Sequence, residues 1–95
     1  MTVYMVFTRE RLRDQKEIDT YFSLVGPTMQ GHPAKVLAAY GKQESVEGAP
    51  IDGAVIIEFP DVDAAKAWYY SDGYQKAVPH RLASAKFRSF LVQGM

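Results

Sequence analysis

The stretch from Glu58 to Arg81 restricts the possible folds most, because a strand end and a helix start follow each other there within four residues. Residues 54–59 read AVIIEF, which is rich in β-branched residues and forms the best predicted strand. Pro60 ends this strand, and Asp61 is a good N-cap for the helix that follows. That helix is expected to end near Gly73. The stretch therefore predicts a strand–helix unit, with a short helical turn and a loop after it.

The rest of the chain completes the order β-α-β-β-α-β. An alternating strand pattern covers residues 2–8, and an apolar stripe at helical spacing covers residues 14–29, with a kink or break expected at Gly26-Pro27. Further strands are predicted at residues 35–40 and 86–93. This order is that of an α+β, ferredoxin-like fold, an antiparallel sheet with both helices on one face. At 95 residues the chain is expected to be one domain, residues 1–95.

Three of the predicted strands are apolar on both faces, although two helices can cover only one face of the sheet. In a lone chain the second face would be a hydrophobic patch larger than soluble monomers usually expose. A second copy packed sheet to sheet would cover it. The pattern therefore predicts a homodimer through the open face of the sheet.

Composition narrows the range of partners. Eleven basic residues balance eleven acidic ones, so neither a nucleic acid nor an anionic membrane is expected as a partner. The chain has no cysteine, and its two histidines have no metal-ligand spacing, so no metal is expected. No glycine-rich phosphate loop or dinucleotide fingerprint is present, and no bound cofactor is expected. Neither a signal peptide nor a membrane span follows Met1, which favours a cytoplasmic location.

Two candidate catalytic residues lie at the ends of the Glu58–Arg81 stretch. A carboxylate such as Glu58, in a strand of apolar residues, is costly to bury unless it is paired, and it could serve as a general base. His80 beside Arg81 could polarise a carbonyl or bind an anion. The alternative is structural: Arg81 pairs with Glu58 and fixes the loop.

Four further side chains are candidates for ligand contacts. Trp68 continues the apolar face of the second helix and is either core or pocket wall. Tyr74 follows the predicted helix stop and could close over a cavity. Tyr4 offers a hydroxyl from the first strand, and His32 lies in a turn between Gly31 and Pro33. The spacing of these residues does not define a catalytic group.

Several short motifs together resemble a known family. They are Glu58-Phe59-Pro60, then Ala67-Trp68-Tyr69 with Ser71, then Tyr74-Gln75, Arg81 and the closing Leu91-Val92-Gln93-Gly94. This pattern is similar to that of family thirteen-thirty among the domains of unknown function, in the dimeric α/β-barrel superfamily. The chain departs from the family pattern at Gly31-His32-Pro33 and at Ala49-Pro50.

The resemblance implies a ferredoxin-like dimer and leaves two hypotheses about function. Relatives in the wider superfamily include cofactor-independent monooxygenases and isomerases that act on aromatic compounds. By that analogy Glu58 and His80 would exchange protons, while Tyr74 and Arg81 would hold a small apolar carbonyl or acid compound. The alternative is a non-catalytic, ligand-sensing or structural homodimer that contains a Glu58–Arg81 ion pair. Whether the protein is an enzyme is left open.

Overall fold

The computed structural model describes all 95 residues and contains four strands and three helices. The strands are β1 (Val3–Leu12), β2 (Lys35–Ala39), β3 (Gly53–Phe59) and β4 (Ala85–Gln93). The helices are α1 (Gln15–Thr28), α2 (Val62–Tyr69) and α3 (Asp72–Ser84). None of the three helices has both the length and the hydropathy that crossing a membrane requires.

The strands form one antiparallel sheet in the order β2-β3-β1-β4, which confirms the predicted ferredoxin-like fold. In the central strand, Val3 lies opposite Phe59 on one side and opposite Gln93 on the other. Because side chains alternate along a strand, this register places every second residue of β1, β3 and β4 on a common face. One face packs against the helices and forms the core; its buried members are Val3, Met5, Phe7, Ile57 and Phe59.

Capping side chains fix where each helix begins. Asp14 accepts a hydrogen bond from the N–H of Glu17 at 3.2 Å, and Asp61 accepts one from the N–H of Ala64 at 2.7 Å. These bonds satisfy amide groups that have no partner within the helix. Ser71 caps α3 in the same way, through the N–H of Tyr74 at 3.3 Å.

The prediction of a short helical turn and a loop at residues 74–85 was wrong, because α3 is a continuous helix from Asp72 to Ser84. Gly73 lies in the first turn of α3 instead of ending the preceding helix, and Pro79 lies inside it. An internal proline removes one helical hydrogen bond and typically costs about 3 kcal/mol. The helix persists because its inner face is buried; that face consists of Tyr74, Ala77, Val78, Arg81 and Ser84. Similarly, α1 continues through Gly26 and Pro27 to Thr28.

The other face of the sheet carries no helix, and we call it the open face. It consists of Tyr4, Val6, Thr8, Ala54, Ile56, Glu58, Arg88, Phe90 and Val92, by the strand register. Phe90 is 52% exposed and Val92 is 46% exposed, and no residue of the open face is fully buried. The open face therefore has an apolar centre, formed by Val6, Ile56 and Phe90, that is accessible in a single chain.

Candidate functional site

A cavity of about 270 Å³ lies between α1 and the helix-covered face of the sheet. Eleven of its twelve lining residues are hydrophobic, and the exception is Arg81. The floor is made of fully buried side chains, among them Phe7, Ile57 and Trp68. The exposed or half-exposed lining residues belong to α1 and to the β2 end of the sheet: Phe22, Val25, Met29, Val36, Ala39 and Tyr40. The cavity therefore opens between α1 and β2, at the mouth formed by these residues.

The mouth exists because the helices leave β2 uncovered. All five residues of β2 are exposed, and this strand pairs only with β3. Helix α1 packs mainly against α3, which lies over the other half of the sheet. The gap between α1 and β2 is thus a consequence of three helices covering a four-stranded sheet unevenly.

Arg81 brings the only charge to the cavity lining, and it does so from the inner face of α3. Its side chain is 2% exposed, and its guanidinium carbon lies 5.0 Å from the ring centres of both Phe7 and Phe87. No carboxylate lies within ion-pair distance of Arg81, and its buried Nε–H has no hydrogen-bond partner. Cation–π contacts with the two rings offset only part of the cost of removing this charge from water.

Three tyrosine hydroxyls lie near the charge of Arg81. Those of Tyr21 and Tyr74 share a buried hydrogen bond of 2.8 Å. Burial raises the pKa of Tyr21, and the neighbouring Tyr74 raises it further. Burial also raises the pKa of Tyr74 and of Tyr40, although the positive charge of Arg81 opposes both increases. All three phenols therefore stay protonated near neutral pH.

Trp68 and Tyr74 form the aromatic base of the site. Their ring centres are 4.1 Å apart, and both side chains are completely buried. The indole N–H of Trp68 donates to the hydroxyl oxygen of Thr28 at 3.1 Å, which ties α2 to the end of α1. Trp68 lines the cavity directly, whereas Tyr74 lies behind the lining and reaches it through Tyr21.

Glu58 and Tyr4 lie on the open face, on the far side of the sheet from the cavity. They are opposite each other in the β1–β3 register, and both are partly exposed. The Glu58–Arg81 ion pair of the structural hypothesis is therefore wrong, since the sheet separates the two residues. The sequence put Glu58 on the face of Ile56, but it did not show that the helices cover the opposite face.

The two histidines also lie outside the cavity lining. His80, on α3, makes a hydrogen bond with Glu17 of α1 through its Nδ1, at 2.7 Å, which is an ion pair only when the imidazole is protonated. Both side chains are about one-third exposed, at 37% and 35%. His32 lies in the turn after α1, where its backbone N–H donates to the carbonyl of Met29. The catalytic roles of Glu58 and His80, and the ligand contacts of Tyr4 and His32, stay predictions.

The chemistry available in the cavity is that of anion binding. A guanidinium offers up to five N–H donors and matches the geometry of a carboxylate. The lining contains no carboxylate, imidazole or thiol, so it holds an anchoring cation among apolar walls. Nowhere in the chain do three or more His, Asp or Glu side chains converge in an arrangement that could hold a metal ion.

Sequence reasoning identified Arg81, Trp68 and Tyr74 but did not single out Tyr21. One signal was available for Tyr21, because it contributes the only hydroxyl to the apolar stripe of α1. A second signal was the spacing of Arg81, which follows Tyr74 by seven residues and Val78 by three. This spacing puts all three on one helical face, provided that the helix continues through Pro79.

Solved structures of other proteins share the fold. A protein of unknown function from Rhodopseudomonas palustris is similar at 20% identity and a TM-score of 0.76, over 99% of this chain and 82% of that one. A dimeric ferredoxin-like protein of unknown function from Jannaschia sp. CCS1 is similar at 12% identity and a TM-score of 0.73, over 99% of this chain and 100% of that one. No curated protein matches the chain.

A third similar structure has a named activity. It is a variant of SnoaB, a cofactor-independent oxygenase from Streptomyces nogalater, at 14% identity and a TM-score of 0.69, over 98% of this chain and 92% of that one. At such low identity these likenesses show a shared fold, which does not fix a function. A family model matches residues 2–95. The chain therefore belongs to the family described as Domain of unknown function (DUF1330).

Proposed function

We propose that this protein binds a compact, apolar organic anion, such as an aromatic carboxylate or an enolate, in the cavity between α1 and the sheet. One observation supports this most strongly: Arg81 is buried in an apolar lining with no carboxylate beside it and with its Nε–H unpartnered. A buried charge without a partner is costly, and an anionic ligand would supply that partner.

The size and walls of the cavity support a small ligand. About 270 Å³ is just below the range of about 300–1,000 Å³ that is usual for drug-sized ligands. Flat aromatic walls from Phe7, Tyr21 and Trp68 favour a planar apolar body. Two of the protonated tyrosines, Tyr21 and Tyr40, belong to the lining and could place their hydroxyls near the anionic group. A more specific form of the same proposal is that the bound compound also reacts, as in the oxygenase with a similar fold.

The test compares 2-naphthoate with its uncharged analogue 2-naphthamide, with binding measured by calorimetry. Wild-type protein is expected to prefer the carboxylate, and Arg81→Met is expected to weaken 2-naphthoate binding at least about tenfold, since hydrogen bonds to charged groups contribute about 1.5–3 kcal/mol. Arg13→Met is the matched control, because it removes the same charge from an exposed position. Equal binding of 2-naphthoate to wild type and Arg81→Met would contradict the proposal, as would no binding at all.

We also infer that the protein forms a homodimer through the open face. Val6 lies between Ile56 and Phe90 in the strand register, at the centre of an apolar surface that no helix covers. Large apolar surfaces of this kind are usually interaction sites. The similar protein from Jannaschia is described as dimeric. Light scattering in solution tests the inference, and a mass of 10.7 kDa at micromolar concentration would contradict it.

A further inference from the structure

We infer that Tyr40 controls access to the cavity and thereby limits which compounds reach Arg81. This inference rests on the proposed function, and it assigns to that site a residue that selects ligands by their size and shape. Three observations carry it: the position of Tyr40 at the mouth, its backbone conformation, and the way its ring is held.

Tyr40 closes the mouth together with Phe22. Their rings meet edge to face with centres 5.3 Å apart, one at the end of β2 and the other on α1. Rings in contact leave no gap wide enough for another aromatic ring. On this side of the mouth a planar ligand can therefore reach the floor of the cavity only if one of the two rings moves.

The backbone conformation of Tyr40 indicates that the ring of Tyr40, and not that of Phe22, is the one that moves. Its φ is 55°, and it is the only residue other than glycine with a positive φ in the chain. This conformation is unfavourable for a bulky side chain and persists only where surrounding contacts impose it. Release of those contacts would let Tyr40 return to a favourable φ, and its ring would leave the mouth.

Besides Phe22, the contacts that hold the ring of Tyr40 come from β1 and β3. The guanidinium of Arg9 lies 4.9 Å from the ring centre of Tyr40. At Gly53 a β-carbon would come within 2.8 Å of the ring, so the ring occupies space that only glycine leaves free. Asp52 holds Arg9 in turn, through its Nε at 2.5 Å, and also accepts the N–H of Leu12 at 2.7 Å.

The chain that follows Tyr40 is held by fewer contacts. Residues 41–50 follow it directly, have no helix or strand, and are all exposed. The ring is thus fixed against β1 and β3, while the chain beyond it is free to adjust. This asymmetry allows the ring of Tyr40 to swing outward without disturbing the sheet.

Trp68 allows the inference to be tested without any ligand. It is the only tryptophan of the chain, it is fully buried, and it lines the floor of the cavity. Quenching of its fluorescence by acrylamide therefore reports whether a small solute can pass the mouth. We expect Tyr40→Ala and Tyr40→Gly to raise the quenching constant at least about threefold, while Tyr40→Phe keeps the wild-type value.

Tyr70→Ala is the matched control, since Tyr70 is 68% exposed and lies outside the cavity lining. It removes a ring of the same size next to the helix of Trp68 and is expected to leave quenching unchanged. Tyr40→Gly covers the case in which Tyr40→Ala does not fold, because glycine accepts a positive φ without strain. Wild-type quenching in both Tyr40→Ala and Tyr40→Gly would overturn the inference.

Stopped-flow binding of 2-naphthoate separates this inference from the proposed function. Tyr40→Gly is expected to accelerate association about tenfold, and Arg81→Met is expected to lose binding. If quenching rises in Tyr40→Gly but wild type binds no 2-naphthoate, the proposed function fails and the control of access stands. If wild type binds 2-naphthoate and Tyr40→Gly changes neither quenching nor association, the role of Tyr40 is wrong and the anion site stands.

Discussion

The helix-side cavity and the open face are both apolar, but they differ in charge and in backbone conformation. The cavity holds a buried arginine with no carboxylate beside it and an unpartnered Nε–H, a buried hydroxyl pair and a tyrosine at positive φ. The open face consists of strand residues without positive φ, and its charged residues Glu58 and Arg88 lie in the register rows on either side of Val6. Such costly features support the proposed small ligand, because selection for stability alone would tend to remove them. A broad, regular apolar surface suits another protein surface instead.

The largest expected effect comes from a charge at the centre of the open face. Val6→Asp would bury an unpaired carboxylate in the inferred interface, and dimerisation is expected to be lost entirely. Light scattering should then give 10.7 kDa instead of twice that mass, while 2-naphthoate binding by the monomer is retained. A Val6→Asp protein that stays dimeric would contradict the inference that the open face is the dimer interface. Val6→Ile is the conservative control.

Alkaline pH is expected to lower the free energy of unfolding through the buried tyrosines on the cavity side, more than through the residues of the open face. The folded-state pKa of Tyr21 and Tyr74 lies above the unfolded value of 10.0, so the folded chain keeps protons that the unfolded chain releases. Their contribution is therefore complete below pH 10 and falls above it, by up to about 1.4 kcal/mol per pH unit for each group. Urea unfolding at pH 9, 10 and 11 measures this. Tyr21→Phe should reduce the slope.

Replacement of Arg81 tests whether its charge is kept for a ligand or for the fold. We expect Arg81→Met to leave the unfolding free energy unchanged or to raise it by about 1 kcal/mol, since an apolar side chain often replaces buried charges without loss. For a chain of this size a gain of about 1 kcal/mol raises the Tm by about 4–8 °C. A clear fall in Tm, with Arg13→Met unaffected, would mean that Arg81 serves the fold.

Loss of the buried hydroxyl pair is expected to lower the free energy of unfolding more than loss of an exposed hydroxyl. Tyr21→Phe leaves the hydroxyl of Tyr74 buried without its partner, which costs about 1–3 kcal/mol. Tyr4→Phe removes a partly exposed hydroxyl from the open face and is expected to cost less than about 0.5 kcal/mol. Thermal melts of the two variants give the difference directly. Equal losses would show that water or another group satisfies Tyr74.

The smallest effect is expected at the contact between His80 and Glu17. Pairs this exposed typically contribute about 0.2–1 kcal/mol, so His80→Ala should lower the stability only slightly. Because His80 lies outside the cavity lining, 2-naphthoate binding should stay within about twofold of wild type. A large loss of binding would support the site role that the sequence predicted for His80.

The sequence predicted the sheet well because local signals and burial agree there. Asp14 and Asp61 cap their helices as their positions indicate, and the alternation in residues 86–93 matches the two faces of β4. Helix α3 was missed because Gly73 and Pro79 signal helix breaks locally, whereas burial of Tyr74 and Arg81 decides the outcome.

The site was predicted less completely because it depends on how the two faces of the sheet are covered. Alternation puts Glu58 and Phe59 on opposite faces, but it does not say which face the helices take. Arg81 could be singled out from its sequence neighbours, but its lack of a carboxylate partner could not. The access role of Tyr40 depends on a backbone angle and on Gly53, which the sequence pattern does not link to each other.

The position of the mouth on the helix side has a consequence for ligand stoichiometry. Two chains joined through their open faces would point their cavities outward, in opposite directions, with both sheets between them. Neither ligand could touch the other, and neither cavity would borrow residues from the partner. Such a dimer would take up one ligand per chain and titrate with a Hill coefficient of one, unless binding moves the sheet itself.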